Sequence, residues 1–164
     1  MESLDSREAV LELVLELLAE DRFTAGPSAG IVLQAYLRDS PQTLDRVLDW
    51  ARATRRDQPL VVRLVKGAYW DHEVVEARQH GWSVPVFERK AECDANFEAL
   101  TRRLLEARPA VRVAIASHNL RSVSHAIACN RLLGGDDADI ELQVLRGLGD
   151  DLGHALAASS LRTR

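Results

Sequence analysis

Arg63, Lys66, Gly67, Tyr69 and Trp70 fall in one run, Arg63-Leu64-Val65-Lys66-Gly67-Ala68-Tyr69-Trp70, directly after the apolar Leu60-Val61-Val62. Packing alone asks a strand to be apolar and then to turn. This one ends in cations, a glycine that permits close approach to the backbone, and two flat rings. Positive charge beside aromatic surface suits an anionic ligand that carries a ring system. Other strand-like segments end in similar groups: Gln34 and Tyr36, Ser117-His118-Asn119, and Gln143 leading into Arg146-Gly147-Leu148-Gly149. Arg89-Lys90 adds another cationic pair. Each has a plain structural alternative. Gln34 could be a buried amide, Lys66 a solvated edge lysine, Tyr69 and Trp70 ordinary core, and His118 a core histidine. Asn119 with Ser117 could cap a helix, and Arg89-Lys90 could be a surface charge cluster. Polar groups at the same end of successive strands are nevertheless poorly explained, as a set, by packing.

The elements that must position these groups alternate. The first segment predicts a helix, with Val10, Leu11, Val14, Leu15, Leu17 and Leu18 as an apolar stripe and Glu8, Glu12, Glu16 and Glu20 on a solvated face. After the break at Gly26-Pro27-Ser28, strands are expected over Ile31 to Leu37, Leu60 to Val65, Val111 to Ala116 and Ile140 to Leu145. Helices are expected between and after them. One has Ser40 as cap and Pro41 at its first position; others carry Val74, Val75 and Ala77 before Gly81, Phe97, Leu100 and Leu104, Val123 and Ile127 before Gly134-Gly135, and Leu152, Ala155 and Leu156. Four βα units imply parallel strands and an α/β class. An open doubly wound sheet and part of a (β/α)8 barrel both fit, and the polar Gln34, Arg63 and Gln143 inside strands favour the barrel. In either architecture the ligand belongs at the carboxyl ends of the strands.

Composition narrows the possibilities. The 164 residues are 46% hydrophobic and 28% charged, ordinary for a globular domain, and the net charge of -4 argues against a general nucleic-acid binder. No apolar run reaches the ~18 residues of a membrane span, and the N-terminus has no signal-peptide pattern. Cys93 and Cys129 read as reduced thiols of a cytoplasmic protein. Gly147-Leu148-Gly149 lacks the third glycine of a dinucleotide fingerprint. No cluster of His and carboxylates has metal-ligand spacing, so no metal is expected.

RLVKGAYW closely resembles the signature of proline dehydrogenase, the flavin-dependent domain found alone or fused to an aldehyde dehydrogenase in bacterial bifunctional proline-utilisation enzymes. Gly30 to Leu37, Pro85-Val86-Phe87-Glu88-Arg89-Lys90, Ser117-His118-Asn119 and Glu141 to Gly149 are similar to further family segments, in order and with family spacing. The resemblance covers essentially the whole chain. It implies a distorted (β/α)8 barrel holding FAD at its carboxyl-terminal face. By resemblance, Arg63 lies beside the flavin N5 and is catalytic, and Val65, Lys66, Gly67 and Ala68 contact the flavin and its phosphate tail. Tyr69 contacts proline, Trp70 stacks near the adenine, and Gln34 and Gln143, with Val144 and Leu145, border the isoalloxazine or ribityl region. Arg89, Lys90, Ser117, His118 and Asn119 hold the ADP portion, and Glu88 falls at a cofactor-binding position, where a carboxylate near the diphosphate is unfavourable unless it points to a ribose hydroxyl.

The implied reaction is oxidation of L-proline to Δ1-pyrroline-5-carboxylate with electrons passed to a quinone. The implied setting is cytoplasmic or peripheral at the inner face of the membrane, beside a fused or associated aldehyde dehydrogenase. Departures from the family pattern are Glu88 where Thr is frequent, Ser117 for Thr, Arg146 for His and Leu148 for Met. The family's catalytic aspartate precedes the segment that Met1-Glu2-Ser3 resembles, and its arginine pair for the substrate carboxylate follows the last segment matched. The expectation is therefore a central part of one barrel domain, residues 1–164, incomplete at both ends, inactive alone and with uncovered sheet edges that promote aggregation. The alternative is a non-catalytic half-barrel that binds a nucleotide or a partner protein.

Overall fold

Leucine and valine alternate with half-exposed residues through Leu60–Val65, and this period-two burial makes the segment a strand with one face packed on helices. In the computed structural model, which describes residues 4–54 and 56–164, this strand is β2. It is flanked by β1 (Gly30–Gln34), β3 (Val111–Ala116) and β4 (Ile140–Gln143). The helices are α1 (Leu4–Ala19), α2 (Asp21–Thr24), α3 (Ser40–Ala53), α4 (Trp70–His80), α5 (Lys90–Glu106), α6 (Leu120–Leu132) and α7 (Asp150–Ala158). All strand pairs are parallel, in the order β1-β2-β3-β4. A doubly wound sheet reverses its order at a switch point. An order that never reverses puts every right-handed crossover on one face, as in a (β/α) barrel. The expected α/β class and four βα units are present, and the strand order decides for the barrel arrangement. Met1-Glu2-Ser3 lies outside the described residues.

The helix-facing side of the sheet supplies the core. Leu33, Val62, Leu64, Val113 and Ile115 meet Leu44 and Val47 of α3, Phe97 and Leu100 of α5, and Val123 of α6. Burying a side chain of this size contributes about 1.5–3 kcal/mol before entropy is counted. The opposite face is polar and small. Val32, Arg63, Ala114 and Glu141 form one row across the sheet, and the next row holds Gln34 beside Val65 and Ala116 beside Gln143.

Several boundaries differ from the sequence expectation, each for a physical reason. β1 ends at Gln34 rather than Leu37, because the chain turns there: the Leu37 amide donates to the Gln34 carbonyl at 3.3 Å, and Leu37 bridges Val86 in antiparallel sense instead of continuing along β2. Tyr36 and Leu37 turn into a second small core with Val74, Val86 and Cys93. β4 ends at Gln143, since the next strand-like amide, that of Leu145, is taken by His118. Ser40 is the first helical residue of α3, not its cap, and its hydroxyl donates to the Leu37 carbonyl at 2.7 Å. The apolar stripe of α1 is narrower than expected: Leu11 and Leu15 are buried, but Leu17 is exposed. Glu8 and Glu12 do not simply face water, since both reach Arg46 of α3. Val75 is exposed, whereas Gly81 closes α4 in the left-handed conformation as expected.

The outer edge of β4 is paired rather than bare. The Leu142 and Val144 amides donate to the Arg162 and Arg164 carbonyls, and Thr163 bridges Leu142 in parallel. Cys93 and Cys129 are buried free thiols, and burial pushes the Cys93 thiol pKa up. Among the described residues, no helix is long and apolar enough to cross a membrane, and no His, Cys, Asp and Glu side chains gather as a metal site would need.

Candidate active site

An open cavity of about 480 Å³ lies at the carboxyl ends of the strands. β1 contributes Gln34, and β2 with the residues after it contributes Arg63, Val65, Lys66, Gly67 and Ala68. Lys90 enters from the start of α5. Ala116, Ser117, His118 and Asn119 come from β3 and its loop, and Gln143, Val144 and Leu145 from β4. Ala116 is the lining residue missing from the sequence-derived set. Its signal was its place in the strand, two residues after Ala114, on the face that points away from the helices.

Arg63 and Gln143 touch although β3 runs between their strands. Arg63 Nε donates to Gln143 Oε1 at 2.7 Å. The reach is possible because, between Arg63 and Gln143, β3 presents the small methyl groups of Ala114 and Ala116 on that face. Gln143 Nε2 in turn donates to Glu141 Oε1 at 2.6 Å, and Glu141 pairs with Arg162 at 3.1 Å. With its Nε committed to Gln143, Arg63 can meet a ligand through its terminal N–H groups.

Lys66 is not a solvated edge lysine. Lys66 and Lys90 share the carboxylate of Asp94, one turn into α5. The Lys66 ammonium also lies 5.6 Å from the Phe97 ring centre, within cation–π range. Lys66 first, and then Lys90, holds the Asp94 carboxyl below its ordinary pKa. Asp94 is absent from the sequence-derived set, although its spacing of four from Lys90 on a helix was a usable signal. It keeps two like charges together at the cavity.

The β3 loop combines structural and lining roles. Asn119 Oδ1 accepts the Ser122 amide at 3.1 Å and caps α6, and Ser117 Oγ accepts the Asn119 amide at 3.1 Å. The helix-cap alternative is therefore real for both, and both still line the cavity. His118 is exposed rather than in the core; its Nε2 accepts the Leu145 amide at 2.8 Å. A neutral ring so bonded carries its proton on Nδ1.

Gly67 has φ of +132°, and a Cβ there would lie 2.5 Å from the Tyr36 ring. The group that approaches this backbone is thus the chain's own tyrosine. Tyr36 is buried, and burial first, then the negative charge of Glu73, pushes its pKa up to about 12. It is a packing element and not a ring offered to a ligand.

Four of the expected residues do not line the cavity. Tyr69 stands at the cap of α4 and is about half exposed. Trp70 begins that helix and donates its indole N–H to the Phe87 carbonyl at 2.8 Å. Glu88 pairs with Arg78 of α4 at 2.6 Å, and Arg89 pairs with Glu92 at 2.7 Å. The last two charges turn towards helix partners, not towards the cavity.

The proline dehydrogenase family profile matches residues 1–164. The chain belongs to the proline dehydrogenase family. Bifunctional protein PutA of Klebsiella aerogenes is 34% identical over 155 residues, which cover 92% of this chain and 11% of that protein. The Rhizobium meliloti protein of the same name is also 34% identical over 155 residues, covering 92% of this chain and 12% of its own length. The chain thus spans about a ninth of such relatives. Among solved structures, proline utilization A from Bdellovibrio bacteriovorus, inactivated by N-propargylglycine, superposes with a TM-score of 0.95 at 39% identity. That match covers 100% of this chain and 17% of the other. Proline utilization A from Corynebacterium freiburgense gives 0.88 at 36% identity, covering 99% and 17%. The four parallel strands and their helices match the proline dehydrogenase domain of these proteins, a TIM-barrel-like fold.

Proposed function

We propose that this chain supplies the flavin-facing wall of an FAD-dependent proline dehydrogenase that converts L-proline to Δ1-pyrroline-5-carboxylate. The observation that carries this reading is the Arg63 guanidinium, held by Gln143 in a cavity that also receives Lys66 and Lys90. The donor set fits FAD. Val65, Ala116, Val144 and Leu145 offer apolar wall to a ring system, and Lys66 and Lys90 offer ammonium groups to a diphosphate.

FAD, when bound, would supply the oxidant, an acceptor for the hydride of the ring carbon next to the proline nitrogen, while the nitrogen releases a proton to solvent and the C–N bond becomes C=N. Arg63 places a fixed positive charge where negative charge develops during that transfer, a contribution larger in the transition state than in the ground state. Lys66 and Lys90 bind the phosphates, with Asp94 fixing where both ammonium groups stand. Ser117, His118 and Asn119 hold the nucleotide end, and Gln34 contributes an amide to the wall. Gly67 and Ala68 keep that part of the wall free of side-chain bulk. Tyr69 is assigned to the proline ring and Trp70 to the adenine; Glu88 and Arg89, engaged with Arg78 and Glu92, are given no cofactor role. A quinone is proposed as the final electron acceptor, and an aldehyde dehydrogenase, fused or associated, as the consumer of the product. The bifunctional naming of the PutA relatives supports the second assignment.

The test is spectroscopic. The purified full-length protein carrying these residues is expected to be yellow, or to become so with FAD, and to bleach anaerobically with L-proline. A colourless protein that ignores proline and binds a different phosphorylated ligand would overturn the proposal.

A further inference from the structure

Glu141 lies on β4, two residues before Gln143 and in register with Ala114, so it shares a row with Arg63 on the same face of the sheet. A primary amide has two unlike ends, and a half-turn about its last torsion exchanges them at little intrinsic cost. Only the oxygen end of Gln143 can accept from Arg63. Something must therefore hold the amide in the one orientation that serves the guanidinium. Glu141 Oε1 does so, because an ionised carboxylate only accepts and takes Gln143 Nε2 at 2.6 Å. The opposite orientation would aim N–H at the Arg63 N–H and the amide oxygen at the carboxylate, losing both bonds and setting like dipoles together. The carboxylate is itself held by Arg162 at 3.1 Å, from the segment that pairs with the edge of β4.

We propose that Glu141 is a positioning residue for Arg63: it fixes the amide of Gln143, and through it the direction in which the guanidinium faces the cavity. Glu141 does not line the cavity. The consequence for proline oxidation rests on the flavin reading above, but the positioning itself does not.

The two are separated by reading them out in different states. In the flavin-free protein, labelled with nitrogen-15 at arginine, Arg63 Nε–H gives a signal that the Arg63→Lys variant identifies. Glu141→Met keeps the side-chain length and removes the acceptor, and hydrogen exchange at Arg63 Nε–H should then rise about tenfold, the equivalent of roughly 1.4 kcal/mol of lost protection. Glu141→Gln keeps a weaker, neutral acceptor and should raise exchange about threefold, since charge-assisted bonds are about twice as strong as neutral ones. Far-UV circular dichroism confirms that each variant is folded, and either folded variant suffices. Unchanged Arg63 exchange in a folded variant overturns the positioning role. In the FAD-loaded protein, the flavin midpoint potential should fall in Glu141→Met, as it should in Gln143→Leu. Faster Arg63 exchange with an unmoved potential leaves the positioning role standing and defeats the placement of Arg63 beside the flavin.

Discussion

The residues that β1, β2, β3 and β4 carry to their carboxyl ends converge, whereas those on the stretch from Tyr69 to Arg89 scatter. Gln34, Arg63, Val65, Ala116 and Gln143 line one cavity, but Tyr69, Trp70, Glu88 and Arg89 do not. A strand fixes side-chain direction by its pleat, and parallel register then fixes which directions meet. A loop or a helix start has no such rule, and its charges turn to the nearest partner. Glu88 goes to Arg78, Arg89 goes to Glu92, and Trp70 goes to a carbonyl.

The sharpest break in this contrast is expected at Gly67, where strand order gives way to loop. Gly67→Ala would force a methyl into the Tyr36 ring and hold alanine at a strongly positive φ. A loss of about 2–4 kcal/mol in urea unfolding is expected. A loss under about 0.5 kcal/mol, the size of an ordinary surface change, would mean that the ring and this backbone are not locked together.

Ala114→Leu probes the strand-held set alone. The larger side chain fills the space that Arg63 crosses, so FAD affinity by flavin titration should fall about tenfold while overpacking costs about 1–3 kcal/mol of stability. Unaltered affinity would mean that the crossing of β3 is dispensable.

Lys66 and Arg89 give the direct comparison. Lys66→Ala should weaken FAD binding about tenfold, the size of one charge-assisted hydrogen bond. Arg89→Ala should change it by less than about twofold, as for a surface ion pair. Equal losses in calorimetry would erase the distinction between the two regions.

The smallest effect concerns pH. Asp94 has its pKa lowered by Lys66 and then Lys90, so its stabilising contribution is present above the unfolded carboxyl pKa of about 3.9. That contribution is lost as pH falls through the lower folded value. The stability difference between the protein and Asp94→Asn should therefore be steady at neutral pH and shrink only in strong acid. A difference that vanished near neutrality would contradict the pairing.

How legible the molecule is from its residues follows the same division. β2 and β3 run over the residues that alternation predicts, because both faces of each strand are committed, one to helices and one to the polar rows. The end of β1 was not legible: Tyr36 looks like a polar strand end, and only the tertiary position of Gly67 shows that it belongs under the backbone. Most of the candidate lining was legible because cations and amides at strand ends need a reason. Ala114 and Ala116 were legible only by their place on the strand, since alanines mark a space rather than a group, and the spacing of Asp94 points to Lys90 but not to Lys66, which only the fold brings to it.

The alanines of β3 also bear on inheritance. β2 and β4 share no backbone hydrogen bond, yet the sizes allowed at 63, 114 and 143 are tied together, because one side chain crosses over another to reach a third. A bulkier residue at 114 is tolerable only alongside a shorter one at 63 or 143. Substitutions accumulated among relatives should therefore link two strands that are not neighbours, and such covariation would be misread as direct pairing by anyone who overlooked the methyl groups between them.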